Sequence, residues 1–177
     1  MGEVSLRCLS IDDTQNIVRW RNSDFVRKNL FSQQTLTNEQ HIEYYESKIK
    51  TGKCKQFIIV IKEDGKSMDV GTVFIKNLDY ANSCGEFGIF IGEELARGKG
   101  YGKKATEQVL KYGFEVLGLN RIYLNVLADN TSAIKIYEHV GFIQEGIMRE
   151  SFCRNKESVD VIIMAFLKCS WKERTSQ

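Results

Sequence analysis

Residues 86 to 116 constrain this chain more than any other stretch. Glu86-Phe87-Gly88-Ile89-Phe90-Ile91-Gly92 alternates large apolar residues with small ones, the pattern of a strand with two unlike faces. After Glu93-Glu94-Leu95-Ala96 comes a glycine-rich turn, Arg97-Gly98-Lys99-Gly100-Tyr101-Gly102-Lys103-Lys104. Tyr101, Ala105, Val109, Tyr112 and Val116 then recur at spacings of four and three, the apolar stripe of an amphipathic helix opening near Gly100. The chain must therefore run strand, glycine turn, helix at this point.

That order has a chemical use. A helix start has unbonded N–H groups and the positive end of the helix dipole, and both stabilise an anion placed there. Glycines at every second position, Gly98, Gly100 and Gly102, let the backbone approach the anion closely. Arg97, Lys99, Lys103 and Lys104 add positive charge, so a phosphate or pyrophosphate is the natural ligand. The dinucleotide fingerprint G-x-G-x-x-G does not fit, because Gly102 comes one residue early. Nor does the ATP-type loop: Lys104 stands where Ser or Thr is required, and Arg97 where the first glycine should be.

A length of 177 residues fits a single domain, 1–177, with a sizeable core. The chain is 42% hydrophobic and 27% charged, as in soluble globular proteins, and no run approaches membrane-spanning length. A net charge of +2 argues against nucleic-acid binding by bulk electrostatics, so any cationic site is local. Cys8, Cys54, Cys84, Cys153 and Cys169 are odd in number, widely spaced and without a C-x-x-C pair. That excludes a disulfide framework or zinc site as the first expectation and favours a reducing cytoplasm. Met1 to Asp13 has no apolar run of the signal-peptide kind. His41 and His139 lack metal-ligand spacing, and no metal is expected.

Around the central stretch, Val4 to Leu9 reads as a strand and Ser10-Ile11-Asp12-Asp13 as a helix start. Thr37 with Gln40 is a capping box opening a helix through Ile42, Tyr45 and Ile49 to Gly52. Strands follow at Gln56 to Lys62, Val70 to Lys76 and Cys84 to Ile91, the first two joined by the hairpin turn Glu63-Asp64-Gly65-Lys66. Gly118 caps the long helix, and Arg121 to Leu127 is a strand. A short helix from Asp129-Asn130-Thr131-Ser132 runs through Ala133, Ile136 and Tyr137 to Gly141, and strands at Phe142 to Met148 and Val159 to Leu167 close the chain. The fold expected is α+β, a mixed, mostly antiparallel sheet of six to seven strands with helices on both faces. The runs Ile58-Ile59-Val60-Ile61 and Val161-Ile162-Ile163 need cover or pairing, which is compatible with a homodimer.

Two motifs in this order carry a family resemblance. Arg97-x-x-Gly100-x-Gly102 at a strand-to-helix turn, followed one helix and one strand later by Asn130-x-x-Ala133-x-x-x-Tyr137-x-x-x-Gly141-Phe142, resembles the GNAT superfamily of acetyl-CoA-dependent N-acetyltransferases. The resemblance covers roughly Gly71 to Leu167, and the first 55 residues match only loosely. It implies acetyl-CoA as co-substrate, with the pyrophosphate on Arg97, Gly98, Lys99, Gly100, Tyr101, Gly102 and Lys103. It further implies a backbone N–H near Phe90 or Ile91 donating to the thioester oxygen, pantetheine pairing along that strand, and Tyr137 lying beside the sulfur as acid. Gly92 is compatible with a local irregularity there. Asn125 and Asn130 are polar contacts for the coenzyme or, for Asn130, a plain N-cap; Tyr137 also continues an apolar stripe and suits a core position.

Acetyl transfer to an amine requires a neutral amine, a polarised carbonyl and stabilisation of the departing thiolate. Glu86 is the candidate base: it shares a strand face with Cys84, Gly88 and Phe90, whose small members leave room for a substrate. The alternative is an ion-paired or solvated strand carboxylate. On the acceptor side, Trp20-Arg21-Asn22-Ser23, Val26-Arg27-Lys28 and Glu39-Gln40-His41 resemble the amino-sugar acetyltransferases of the pseudaminic acid pathway. That likeness implies a nucleotide-linked amino sugar as the small-molecule acceptor, with Arg21, Arg27 or Lys28 on the diphosphate and His41 on the nucleotide or sugar. RimJ/RimL-type protein N-terminal acetyltransferases and polyamine acetyltransferases share the layout. A polyamine site needs an acidic groove, for which Glu43, Glu46, Glu93 and Glu94 do not obviously converge. A non-catalytic acyl-CoA-binding module is the alternative of another class.

Overall fold

The computed structural model describes residues 2–175. Its elements are β1 (Glu3–Cys8), a 3-10 turn (Ile11–Asp13), α1 (Thr14–Asn22), α2 (Asp24–Arg27), α3 (Asn38–Tyr44), β2 (Lys55–Glu63), β3 (Lys66–Asp79), β4 (Cys84–Ile91), α4 (Tyr101–Lys111), β5 (Arg121–Leu127), α5 (Thr131–Val140), β6 (Ile143–Arg154), β7 (Glu157–Leu167) and α6 (Lys168–Thr175). The strands lie in the order β1-β2-β3-β4-β5-β7-β6, a mixed sheet of α+β type. Packing divides the chain into two compact units, one running to Asn77 and adding Gly88–Val109, the other made of Leu78–Phe87 and everything from Leu110 on.

The first unit is held by antiparallel β1–β2 and β2–β3 ladders around a core of Leu9, Ile17, Trp20 and Ile58, against which Leu36, Tyr45, Ile49, Val60 and Phe90 pack. Local signals set its elements. Thr37 accepts from the Gln40 N–H and Gln40 returns the bond to Thr37, so the capping box starts α3 as expected. Asp64 (φ 49) and Gly65 (φ 75) form the β2–β3 hairpin turn, where two left-handed residues match the strand twist. At Gly71 the backbone comes so close to β4 that a Cβ would stand 2.2 Å from the Phe90 carbonyl oxygen.

The second unit pairs the start of β4 in parallel with β5, Cys84 to Glu86 against Arg121 to Tyr123, and β5 and β6 antiparallel with β7. Its core is aromatic. Phe114, Phe142, Phe166 and Trp171 meet ring to ring at 5.7–6.2 Å, and Phe87 joins Phe142 at 5.7 Å. Gly118 (φ 71) follows the helical stretch and Gly141 (φ 117) caps α5, each adopting the left-handed conformation a helix end needs.

Two expectations are corrected, and a third is met within the chain. The stripe predicted to run to Val116 fails there: residues Tyr112–Val116 form a π turn, closed by Leu117 N–H to Tyr112 C=O at 3.0 Å. The inserted residue rotates the stripe, so Gly113 and Phe114 are buried and Val116 is 67% exposed. The apolar runs of β2 and β7 do not wait for a partner: Ile58, Ile59, Ile61, Val161 and Ile162 are buried within the chain. A group of uncovered apolar side chains lies instead on β6, which closes the sheet order, with Ile143 67% and Ile147 53% exposed beside Met148. Finally, Gly88 leaves no room for a substrate on its face, because the Phe74 ring fills the position of its Cβ, 2.3 Å away.

Candidate active site

The glycine turn adopts the geometry an anion site requires. Gly98 (φ 70) and Gly100 (φ 78) are left-handed, conformations a Cβ would penalise. α4 begins at Tyr101, and the bond from Lys104 N–H to Gly100 C=O is 3.3 Å. The N–H groups of Tyr101, Gly102 and Lys103, one turn earlier, precede the helical ladder and point out of its start. A Cβ at Gly98 would meet nothing within 4 Å, and one at Gly102 only Ile91 Cγ1 at 3.9 Å. The backbone is thus bare where a pyrophosphate would lie against it, and the turn fits the coenzyme group expected there.

The side chains of the turn are used differently from the backbone. Tyr101 is buried and its hydroxyl donates to the Glu63 carboxylate, which anchors the helix start to the β2–β3 hairpin. Lys99 Nζ lies 3.9 Å from Glu63, and Lys104 Nζ donates to the Gly2 carbonyl at 3.4 Å. Arg97 folds back onto the strand it follows: Nη2 donates to the Gly92 C=O at 2.7 Å, and its guanidinium stacks 3.7 Å from the centroid of the Phe25 ring. Gly92 and Glu93 N–H both donate to the Val70 C=O, at 2.8 and 3.1 Å, so β4 ends in a bulge just past Phe90 and Ile91. Gly92 is needed for another reason as well: the Trp20 indole occupies the space of its missing Cβ, 2.1 Å away, and donates from Nε1 to Glu93 at 2.7 Å. Phe90 turns its side chain into the first unit's core, leaving its backbone as the part available to a ligand.

In the second unit Glu86 is half-buried and stands opposite Tyr123 across the parallel pair. Burial, together with the Glu86 charge, raises the Tyr123 phenol above its ordinary pKa. Tyr137 lies on α5 with its ring buried against Phe87 (5.8 Å, edge to face) and Phe142 (5.8 Å). Burial pushes its phenol well above the usual tyrosine range, so it keeps its proton at any working pH. Asn130 is the N-cap of α5, its Oδ1 accepting from Ala133 N–H at 3.3 Å. Asn125 is half-buried in β5 opposite Ile163 of β7.

The acceptor-side candidates lie on the first unit's helices. Arg27 is paired with Asp24 at 2.6 Å, a helix-surface ion pair. His41 is 3% exposed, and its Nδ1 lies 3.0 Å from Thr14 Oγ1. Thr14 spends its only hydroxyl proton on the Ile11 C=O, at 2.6 Å, so Nδ1 must carry the imidazole hydrogen and Nε2 presents a lone pair. Nε2 is buried without a hydrogen-bond partner, as is Arg21 Nε. Burial, helped by the Arg21 charge, holds His41 below its ordinary pKa, and burial likewise lowers Arg21. Two of the carboxylates considered for an acidic groove are already engaged: Glu93 by Arg19 and Trp20, and Glu46 by Lys50 at 2.8 Å. Sequence reasoning missed Thr14, Phe25 and Tyr123, whose contacts are tertiary and carry no local signal. Among the described residues no group of three or more His, Cys, Asp or Glu is placed to hold a metal ion.

Fold and turn together define a class: the acetyl-CoA-dependent N-acetyltransferases, built on a mixed sheet with a glycine turn after its fourth strand. The chain belongs to the acetyltransferase (GNAT) domain family, whose model matches residues 3–143. It is 28% identical over 174 residues to spermidine N(1)-acetyltransferase of Vibrio cholerae serotype O1, covering 98% of each chain. The crystal structure of the Vibrio cholerae enzyme with CoA and spermine superposes with a TM-score of 0.87 at 28% identity, over 96% of this chain and 98% of that one. A further structure of that enzyme, described as dodecameric, gives 0.82 at 28% identity over 97% of each chain. Acetyltransferase PseH of Campylobacter jejuni is 25% identical over 134 residues, 76% of this chain and 79% of its own. The chain is therefore an N-acetyltransferase that uses acetyl-CoA.

Proposed function

We propose that this enzyme acetylates the primary amine of a small molecule by direct attack on acetyl-CoA in a ternary complex. The observation that carries this reading is the open glycine turn, Gly98 and Gly100 left-handed ahead of a helix start at Tyr101. Residues Arg97 to Lys103 hold the pyrophosphate mainly through backbone N–H groups, and the backbone at Phe90 and Ile91 aligns the pantetheine arm. Bound acetyl-CoA supplies the acetyl thioester. Glu86 takes the proton that the amine loses. Tyr137, protonated throughout the working range, donates its O–H toward the departing sulfur. Asn125 and Asn130 make polar contacts with the coenzyme, Asn130 through the amide nitrogen that capping leaves over. Arg21, Arg27 and His41 contact the acceptor.

The likeness to spermidine acetyltransferases across the whole chain supports a polyamine acceptor, ahead of the nucleotide-linked amino sugar that the N-terminal resemblance implies. The exposed Ile143, Ile147 and Met148 on β6 support association between copies of the chain, in keeping with the dodecameric relative. Five cysteines without a disulfide suit a reducing cytoplasm. The test is thiol release from acetyl-CoA against spermidine, UDP-linked amino sugars and peptides with free N-termini. Turnover on any class supports the reading; CoA binding without turnover on any of them favours a binding module.

A further inference from the structure

The turn that leads into α5 is held from outside. Leu127, the last residue of β5, accepts from Asn130 N–H at 2.9 Å, so residues 127–130 make a tight turn with Ala128 and Asp129 at its corner. β5 stops where Leu127 faces Val161, whereas residues 157–160 of β7 and the end of β6 paired with them lie beyond it. This β6–β7 hairpin overhangs the end of β5 by about 13 Å. The overhang takes both corner residues: Ala128 N–H donates to the Asp160 C=O at 2.9 Å, and Arg154 Nη2 donates to the Asp129 carboxylate.

Neither tie is local. Arg154 is the last residue of β6, 25 positions from Asp129. Its side chain is 20% exposed, against 49% for Asp129, so an arginine at the end of a surface hairpin is laid down on the turn instead of extending into water. Asp160 works on both sides. Its carboxylate accepts from Glu150 N–H at 2.7 Å, where β6 bulges between Met148 and Phe152, while its carbonyl holds Ala128. The residue these ties aim at is Asn130. It caps α5 with φ −82 and ψ 59, outside the extended backbone usual at an N-cap, so ordinary capping geometry does not fix its direction. Its Oδ1 accepts from Ala133 N–H, which leaves the amide nitrogen for a ligand. Tyr137 follows seven residues on, two turns along the same face of α5. The direction in which the turn delivers the chain to α5 therefore governs both residues.

We propose that Arg154 is a positioning residue for the coenzyme: by holding Asp129 it fixes the turn ahead of α5, and with it the direction in which the Asn130 amide nitrogen meets bound CoA. The proposal rests on the acetyl-transfer reading above and on its placing of the coenzyme beside Asn130. A guanidinium suits the task, because its planar fork of donors holds a carboxylate in one orientation, which an ammonium does not. A partly exposed ion pair adds little to stability. What this pair supplies is geometry, and a small misplacement of a binding group is costly to transfer.

The test is calorimetric titration of CoA into the wild type, Arg154→Gln, Asn130→Ser and the double variant, each beside its melting curve. Serine keeps the helix cap and removes the amide nitrogen. Arg154→Gln is expected to melt as the wild type does yet bind CoA about tenfold more weakly, with Arg154→Lys recovering part of the loss. In the Asn130→Ser background the same substitution should cost less than about twofold, because the group it positions is gone. Should Arg154→Gln not fold, Arg154→Lys, which keeps the charge and gives up the fork, takes its place in the cycle. An equal loss in the two backgrounds overturns the proposal, as does an unchanged CoA affinity in the folded variant, whether or not its melting temperature falls. Turnover is read separately. A wild type that binds CoA and acetylates neither spermidine, a UDP-linked amino sugar nor a peptide with a free N-terminus fails the acetyl-transfer reading, while the binding cycle still decides the place of Arg154.

Discussion

Arg97 and Phe25 form a stacked pair, guanidinium carbon 3.7 Å from the ring centroid, while the same guanidinium holds the Gly92 carbonyl at 2.7 Å. A residue of the glycine turn therefore fastens the end of β4 to α2. On the reading proposed above, Arg97 is a positioning residue for the strand that aligns the coenzyme. Arg97→Ala is expected to lower stability by about 1–2 kcal/mol and to raise KM for acetyl-CoA while reducing kcat. Arg97→Lys should recover part of both by keeping a cation over Phe25. A melting temperature unchanged in Arg97→Ala alongside weakened coenzyme binding would instead make Arg97 a simple phosphate ligand.

Local chemistry made much of this architecture readable in advance. The capping box at Thr37 and Gln40, the Asn130 N-cap, the Gly141 C-cap and the Asp64-Gly65 hairpin each involve residues within a few positions of one another, and each formed as written. What escaped depends on distant partners. Nothing near Gly88 announces the Phe74 ring, and nothing near Gly92 announces Trp20. The Val116 error came from assuming a uniform helical period through a π turn. The left-handed conformation of the glycine turn was legible because it answers to local backbone geometry, whereas the contact of Arg97 with Phe25, 72 positions away in sequence, was not.

Stability should fall on mild acidification through His41. Its folded-state pKa lies below the ordinary value of 6.5, chiefly through burial, with Arg21 adding to the effect and Asp13 opposing it. Above pH 6.5 the imidazole is neutral folded or unfolded and contributes nothing. Below it the unfolded chain takes up the proton first, so stability drops by at most about 1.4 kcal/mol per pH unit until the folded pKa is reached. Melting temperatures between pH 7.5 and 5 should decline in the wild type and decline less in His41→Asn. Parallel curves would show that His41 does not titrate in this way.

Tyr137→Phe isolates the hydroxyl from the ring. The packing against Phe87 and Phe142 is retained, so folding and acetyl-CoA affinity should hold, while kcat falls by about 10²-fold. Single-turnover thiol release measures this directly. An unchanged kcat would return Tyr137 to a purely structural place in the aromatic core.

Association through β6 predicts a size change. Ile147→Lys places a charge on an exposed apolar strand side chain, 53% accessible in the single chain. Light scattering after size exclusion should show smaller particles than the wild type, with little change in melting temperature beyond that due to lost association. Identical particle masses would place the contact elsewhere.

The central claim is that acetyl-CoA is held by the backbone of the turn from Arg97 to Lys103. Gly102 tests it most directly, because a Cβ there meets only Ile91 Cγ1, at 3.9 Å, and leaves the protein itself undisturbed. CoA affinity of Gly102→Val should be measured by calorimetry beside its melting curve. The account predicts a folded protein whose CoA affinity is reduced by at least about 100-fold, near 2.7 kcal/mol; a folded variant binding CoA as the wild type does would contradict it.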